Sequence, residues 1–156
     1  IYTGEDTLSL HDALPISMSA RVVIYSDDGV VRASLKAALG SKLASDLPIE
    51  TTEFATADAL RQYIDQTDAK GQVRADLFIL DGEAAPEGGL GVARQLKDEV
   101  FNCPPSIVLI ARQSDSWLAA WSRAEASLQH PVDPFALAKT ATELLRARLA
   151  GNLASA

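Results

Sequence analysis

From Arg21 onward the chain alternates short, β-branched apolar runs with amphipathic stretches of helical spacing, five times over and without internal sequence repeats. A strand that is apolar along its whole length must be covered on both faces, and a helix after each strand provides that cover. The pattern predicts an α/β fold, a doubly wound five-stranded parallel sheet flanked by helices. Residues 21–25 (RVVIY) make the first strand, closed by Ser26, Asp27 and Asp28 with turn and N-cap chemistry. The next helix should run through Leu39 to a stop at Gly40, with Val30, Val31, Leu35, Ala38 and Leu39 facing the sheet. Residues 49–54 form a weaker second strand. Residues 57–66 form a second helix with Leu60, Tyr63 and Ile64 inward, and 68–71 a loop.

The third strand, 76–80 (DLFIL), places Asp81 at its carboxyl end, and a Gly- and Pro-rich loop, 82–89, leads into a helix over 90–100. Pro104 and Pro105 end that helix before the fourth strand, 106–111. Trp117, Leu118 and Trp121 mark a short helix, 126–128 a short fifth strand and 134–149 a long last helix, with 151–156 expected as a frayed tail.

Composition narrows the function. The chain has 156 residues, 47% of them hydrophobic and 22% charged, which suits one globular domain, placed at residues 18–150. Fourteen Lys plus Arg stand against 21 Asp plus Glu, a net charge of −7 with no basic run among aromatics, which argues against direct nucleic-acid binding. The single cysteine, Cys103, excludes an internal disulfide and fits a reducing, cytoplasmic setting. No run approaches the ~18 apolar residues needed for membrane insertion. Residues 1–17 stand apart: they hold no Lys or Arg and no periodic apolar face, and TLSLHDALPI resembles the translation of a sequencing-library adapter. They are expected to be a disordered, non-native extension, with Met18 the natural start. Without Glu5, Asp6, Asp12 and His11, the remainder has 18 acids and keeps His130 as its sole histidine.

In an open parallel sheet, ligands bind beyond the carboxyl ends of the strands. Those ends carry Asp27 and Asp28, then Asp81, then Ile110 and Ala111, then His130 and Pro131. Carboxylates crowded at neighbouring strand ends repel unless a hard divalent cation screens them, which favours Mg2+. A carboxylate beside such an ion can attack an activated phosphoryl group.

With YSDD after the first strand, DLFILDGEAAPEGGLGVARQLKDE around Asp81 and LQHPVDPFAL at the last strand, the chain resembles the receiver domain of two-component response regulators over residues 21–149. The resemblance implies the CheY-like strand order 2-1-3-4-5, Asp81 as phosphoacceptor and Gly89 closing the following loop. It also implies Mg2+ held by Asp27, Asp28 and Asp81. Asp27 matches the second member of the family's acidic pair. Ser26 stands where the first belongs, and Asp28 would compensate. Other positions depart further. The hydroxyl residue expected at the end of strand four is Ile110, which has no donor. The lysine before the proline is His130, and an imidazole reaches less far and is mostly neutral near pH 7 unless carboxylates surround it. The switch aromatic of strand five is Ser127, and the loop proline falls one place late, at Pro86. Such a set resembles the atypical receiver-only regulators of actinobacteria, which implies a histidine kinase or other signalling protein as partner and a site at Asp81 that is either active or silent.

Other readings compete at single residues. Trp117 and Trp121 stand four apart and share a face, which suits packing against the last helix or, with Phe135, a partner surface. Gly88, Gly89 and Gly91 do not follow the first strand and make no nucleotide loop. Cys103 has no neighbouring base. A rival from another class is a Mg2+-dependent phosphatase of haloacid dehalogenase type using Asp81 as nucleophile. Its second acid would fall at Glu83, and its downstream lysine is missing.

Overall fold

The computed structural model describes residues 19–155, so the extension expected at residues 1–17 lies outside the described residues. Strand β1 (Ala20–Tyr25) leads into helix α1 (Gly29–Leu39), and a short strand β2 (Lys42–Ala44) turns back into β3 (Leu47–Phe54). Helix α2 (Ala57–Asp65), β4 (Leu77–Asp81), α3 (Gly89–Glu99) and β5 (Ser106–Ile110) follow. A 3-10 turn (Gln113–Asp115), α4 (Ser116–Trp121), β6 (Ala126–Gln129) and α5 (Pro134–Ser155) complete the chain.

The sheet order is β2-β3-β1-β4-β5-β6. β1 runs parallel to both β3 and β4, β4 to β5, and β5 to β6, so the five expected strands lie in the order second, first, third, fourth, fifth. β2 adds an antiparallel edge with a register shift against β3. Three residues are too few to show a period, and its exposed Lys42 suits an edge.

Alternation along the strands divides the core in two. Val23, Tyr25, Phe78, Leu80, Val108 and Ile110 face α2, α3 and α4, where Leu60, Val92, Ala93, Leu96 and Ala119 meet them. Val22, Ile24, Leu77, Ile79, Ile107 and Leu109 face α1 and α5, against Leu35, Leu39, Leu137, Ala141 and Leu145. Each such Leu, Ile, Val or Phe side chain contributes about 1.5–3 kcal/mol through burial, which is why the middles of the central strands are apolar.

The helices begin where the side chains dictate. Asp28 Oδ1 accepts the Val30 amide at 2.8 Å, Thr56 Oγ1 the Ala59 amide at 3.2 Å, and Asp133 Oδ2 the Ala136 amide at 2.9 Å. Gly40, with φ +67°, stops α1 as its position predicts. Val30 departs from expectation: in the first turn of α1 it lies beyond the edge of the core and is 78% exposed. The last helix runs past Leu149 to Ser155 instead of fraying, since the stretch has no proline and one helical glycine costs only about 1 kcal/mol. Among the described residues, no helix is long and apolar enough to cross a membrane.

Candidate functional site at the carboxyl ends of the strands

Asp81 ends β4 between β1 and β5 and is only 3% exposed. A carboxylate so buried needs hydrogen bonds, and both of its oxygens have them. Ser26, buried at the end of β1, donates its hydroxyl to Oδ2 at 2.7 Å. The Glu83 amide donates to Oδ1 at 2.9 Å, and His130 Nε2 lies 3.0 Å from the same oxygen. His130 is fixed in turn by its own amide, which donates to Ile110 O at 2.9 Å.

The backbone around Asp81 is tight. A Cβ on Gly82 would stand 2.5 Å from Leu109 O, and one on Gly89 would stand 2.7 Å from both Asp81 O and Leu80 C. Glycine is therefore required at both positions for α3 to start against the end of β4. The loop between them is held from outside the sheet. The Tyr25 hydroxyl donates to Glu87 O at 2.5 Å, and Arg61 of α2 grips the Glu87 carboxylate with both of its terminal nitrogens while also donating to Gln95 of α3. Arg61 holds the Glu87 carboxyl below the usual range. Burial, then the Glu87 and Asp27 carboxylates, push the Tyr25 phenol upward and keep it a donor. Ser26 O accepts from Arg32 Nη1 at 2.6 Å, which fixes the β1–α1 turn.

The three carboxylates expected to hold a metal differ in setting: Asp81 is buried. Asp27 and Asp28 are exposed, and Asp28 spends Oδ1 on capping α1. Among the described residues, no group of three or more His, Cys, Asp or Glu side chains is arranged to hold a metal ion. Receiver domains typically bind Mg2+ at this place. Here a serine hydroxyl already bonded to Asp81 stands where one acid of the pair is expected, which leaves the place one carboxylate fewer for a cation. The Ile110 side chain is buried in the core and offers the site no hydrogen bond.

The aromatic residues lie at the other side of β5. α4 and α5 both pack on the edge strand β6. Trp117 is 67% exposed, Trp121 47% and Phe135 83%, so the expectation of core packing against the last helix fails. α4 has only six residues, and Ala119 supplies its buried contact to the core. Instead α3 clamps this segment: the Arg94 guanidinium lies 5.3 Å from the Trp121 ring and donates to Trp121 O at 2.7 Å. Lys97 meets Glu125 at 2.5 Å and Asp98 meets Arg123 at 2.8 Å.

Sequence reading located Asp81 and His130 but missed the clasp. Ser26 was legible only as a missing acid, and Tyr25, Arg61 and Glu87 carried no local signal because they meet across distant elements.

No protein-family model matches the chain. Two uncharacterized response regulatory proteins of Mycobacterium tuberculosis, strains CDC 1551 and H37Rv, are each 50% identical to it over 132 residues, spanning 84% of this chain and 95% of theirs. Among solved structures, the signal receiver domain of a Vibrio parahaemolyticus protein superposes with a TM-score of 0.70 at 18% identity, covering 88% of this chain and 98% of that one. A Francisella response regulator receiver domain gives 0.67 at 17% identity, covering 83% and 98%. These structural likenesses establish the fold, and nothing in them favours a haloacid dehalogenase phosphatase. With a half-identical response regulatory relative matched over nearly its whole length, the chain belongs to the response regulator family of two-component systems and folds as its CheY-like receiver domain.

Proposed function

We propose that this chain is a receiver-type signalling protein that acts by binding other proteins, and that its phosphoacceptor position, Asp81, is a degenerate site that does not switch it. The observation that carries this reading is the state of the Asp81 carboxylate. Both oxygens are satisfied by Ser26, the Glu83 amide and His130. An incoming phosphoryl group must break those bonds, and Ile110 offers it no hydroxyl in return. Asp27 and Asp28, both open to water, are left for a weak Mg2+ contact.

The binding surface in this reading is the α4–β6–α5 edge with Trp117, Trp121 and Phe135. Exposed aromatics of this size are enriched at protein interfaces. The partner is a histidine kinase or another signalling protein, and no catalysis is assigned beyond phosphoryl acceptance.

The test is intact mass and 15N–1H correlation spectra with Mg2+ plus acetyl phosphate or beryllofluoride, alongside Asp81→Asn. The expected result is no phosphoryl mass gain and no widespread shift. A mass gain with spectral changes that vanish in Asp81→Asn would overturn the reading and make Asp81 a working switch with Mg2+ at Asp27, Asp28 and Asp81.

A further inference from the structure

A helix that follows a parallel strand returns to the opposite edge of the sheet, and where α2 and α3 finish that return a cleft of about 420 Å3 opens. The last turns of both helices, the 66–73 loop, Phe101, Asn102 and Arg148 bound it. That volume lies within the range of small-molecule sites, roughly 300–1,000 Å3. Part of the lining is apolar: Val73 and Leu96 belong to the core, and Ile64 and Val100 pack against it.

The charges around this apolar lining are not cancelled. Arg148 Nη1 reaches only Asn102 Oδ1 at 3.3 Å and Cys103 O at 3.5 Å, while its Nε is buried without an acceptor. A guanidinium held only by neutral acceptors at long distance is poorly answered, and a carboxylate bound at its terminal nitrogens would supply the missing counter-charge. Asp65 and Glu99, from α2 and α3, line the same cleft and take part in no ion pair among the described residues; Glu99 accepts only from Gln95 Nε2, at 3.1 Å. Arg61 also lines the cleft, but it is neutralised by Glu87 and Asp58.

One unanswered cation, two unbalanced carboxylates and an apolar lining match a ligand with both charges and an apolar body. We propose that the α2–α3 cleft binds a small zwitterion of amino-acid or dipeptide class, its carboxylate at Arg148, its ammonium at Asp65 and Glu99, and its side chain on the apolar lining. An occupant would touch Arg61, the side chain that ties α2 to the loop after Asp81. The proposal stands independently of whether Asp81 accepts phosphate.

The experiment is a 15N–1H titration of the full chain with L-tryptophan and with the dipeptide Leu-Phe. Tryptamine, indole-3-propionate and N-acetyl-L-tryptophanamide serve as probes lacking one or both charges. At least one of the two zwitterions should produce saturable shifts at Gly71, Gln95 and Asn102. Each indole probe lacking a charge should bind at least about fivefold more weakly than L-tryptophan, and Arg148→Gln and Glu99→Gln should each weaken the zwitterion by about the same factor. If Arg148→Gln loses its spectral dispersion, Glu99→Gln and the probe series decide. Three results would overturn the proposal: no saturable shift from either zwitterion up to about 10 mM, equal binding of the uncharged amide, or shifts confined to α4.

Discussion

Asp81 and the Trp117 helix are opposite kinds of surface in one small domain. The first is a charged group withdrawn from water with both oxygens hydrogen-bonded; the second presents large apolar side chains to solvent, with only the Arg94 guanidinium laid over the Trp121 ring among the described residues. The contrast teaches where reactivity and recognition lie. A hydrogen-bonded buried carboxylate contributes to stability, since disturbing it strands polar groups. Exposed aromatics contribute little to stability and leave their free energy of burial for a partner. The proposed function rests on this contrast, with the first region silent and the second as the binding surface.

The comparison can be broken most directly at Ser26. Ser26→Ala strands Asp81 Oδ2 and should lower the unfolding free energy by about 1–3 kcal/mol, read as a shift in urea midpoint at constant slope. A loss under about 0.5 kcal/mol would mean that water replaces the hydroxyl and that the clasp is not structural. Next in size, Arg94→Gln removes the cation from Trp121 and should cost about 0.5–1 kcal/mol, with faster amide exchange confined to α4 as its signature. Acid should act through a different set. Lys36 holds Glu53 low, Arg61 holds Glu87 low, Arg146 holds Asp46 low, and the Gln72 amide holds Asp68 low. A folded pKa below the unfolded one gives stability that is present above the ordinary values of 4.5 for Glu and 3.8 for Asp, and lost as pH falls through the depressed folded values. The urea midpoint should therefore fall only on acidification into and below that range, and less steeply in high salt, because these pairs are exposed. Smallest of all, Trp117→Ala should change stability by less than about 0.5 kcal/mol. A larger loss would return Trp117 to a structural role and remove it from the output surface.

The elements that sequence made legible are those whose physics is local. A fully apolar run such as VVI or LFIL has one home, the middle of a covered sheet, and an aspartate after it marks the strand's end. Asp28 reads correctly as a cap because capping depends on residues two positions away. The partners of Asp81 lie 55 and 49 positions away, beyond any periodicity. Trp117 and Trp121 were ambiguous for another reason. A pair of aromatics at i, i+4 has a face, but only the depth of a six-residue helix over the core decides whether that face is inward. Val30 failed for the same cause at the start of α1.

Gly82 and Gly89 give the site an asymmetric tolerance to mutation. A side chain at either would drive into main-chain atoms that no rotamer can clear, so a substitution there threatens the β4–α3 junction. Positions 26, 110 and 130 accept a serine, an isoleucine and a histidine while the sheet closes around them unchanged. The proposed loss of phosphoryl switching would then need side-chain changes around Asp81 alone, while the two glycines hold the backbone on which any other signal would have to be read.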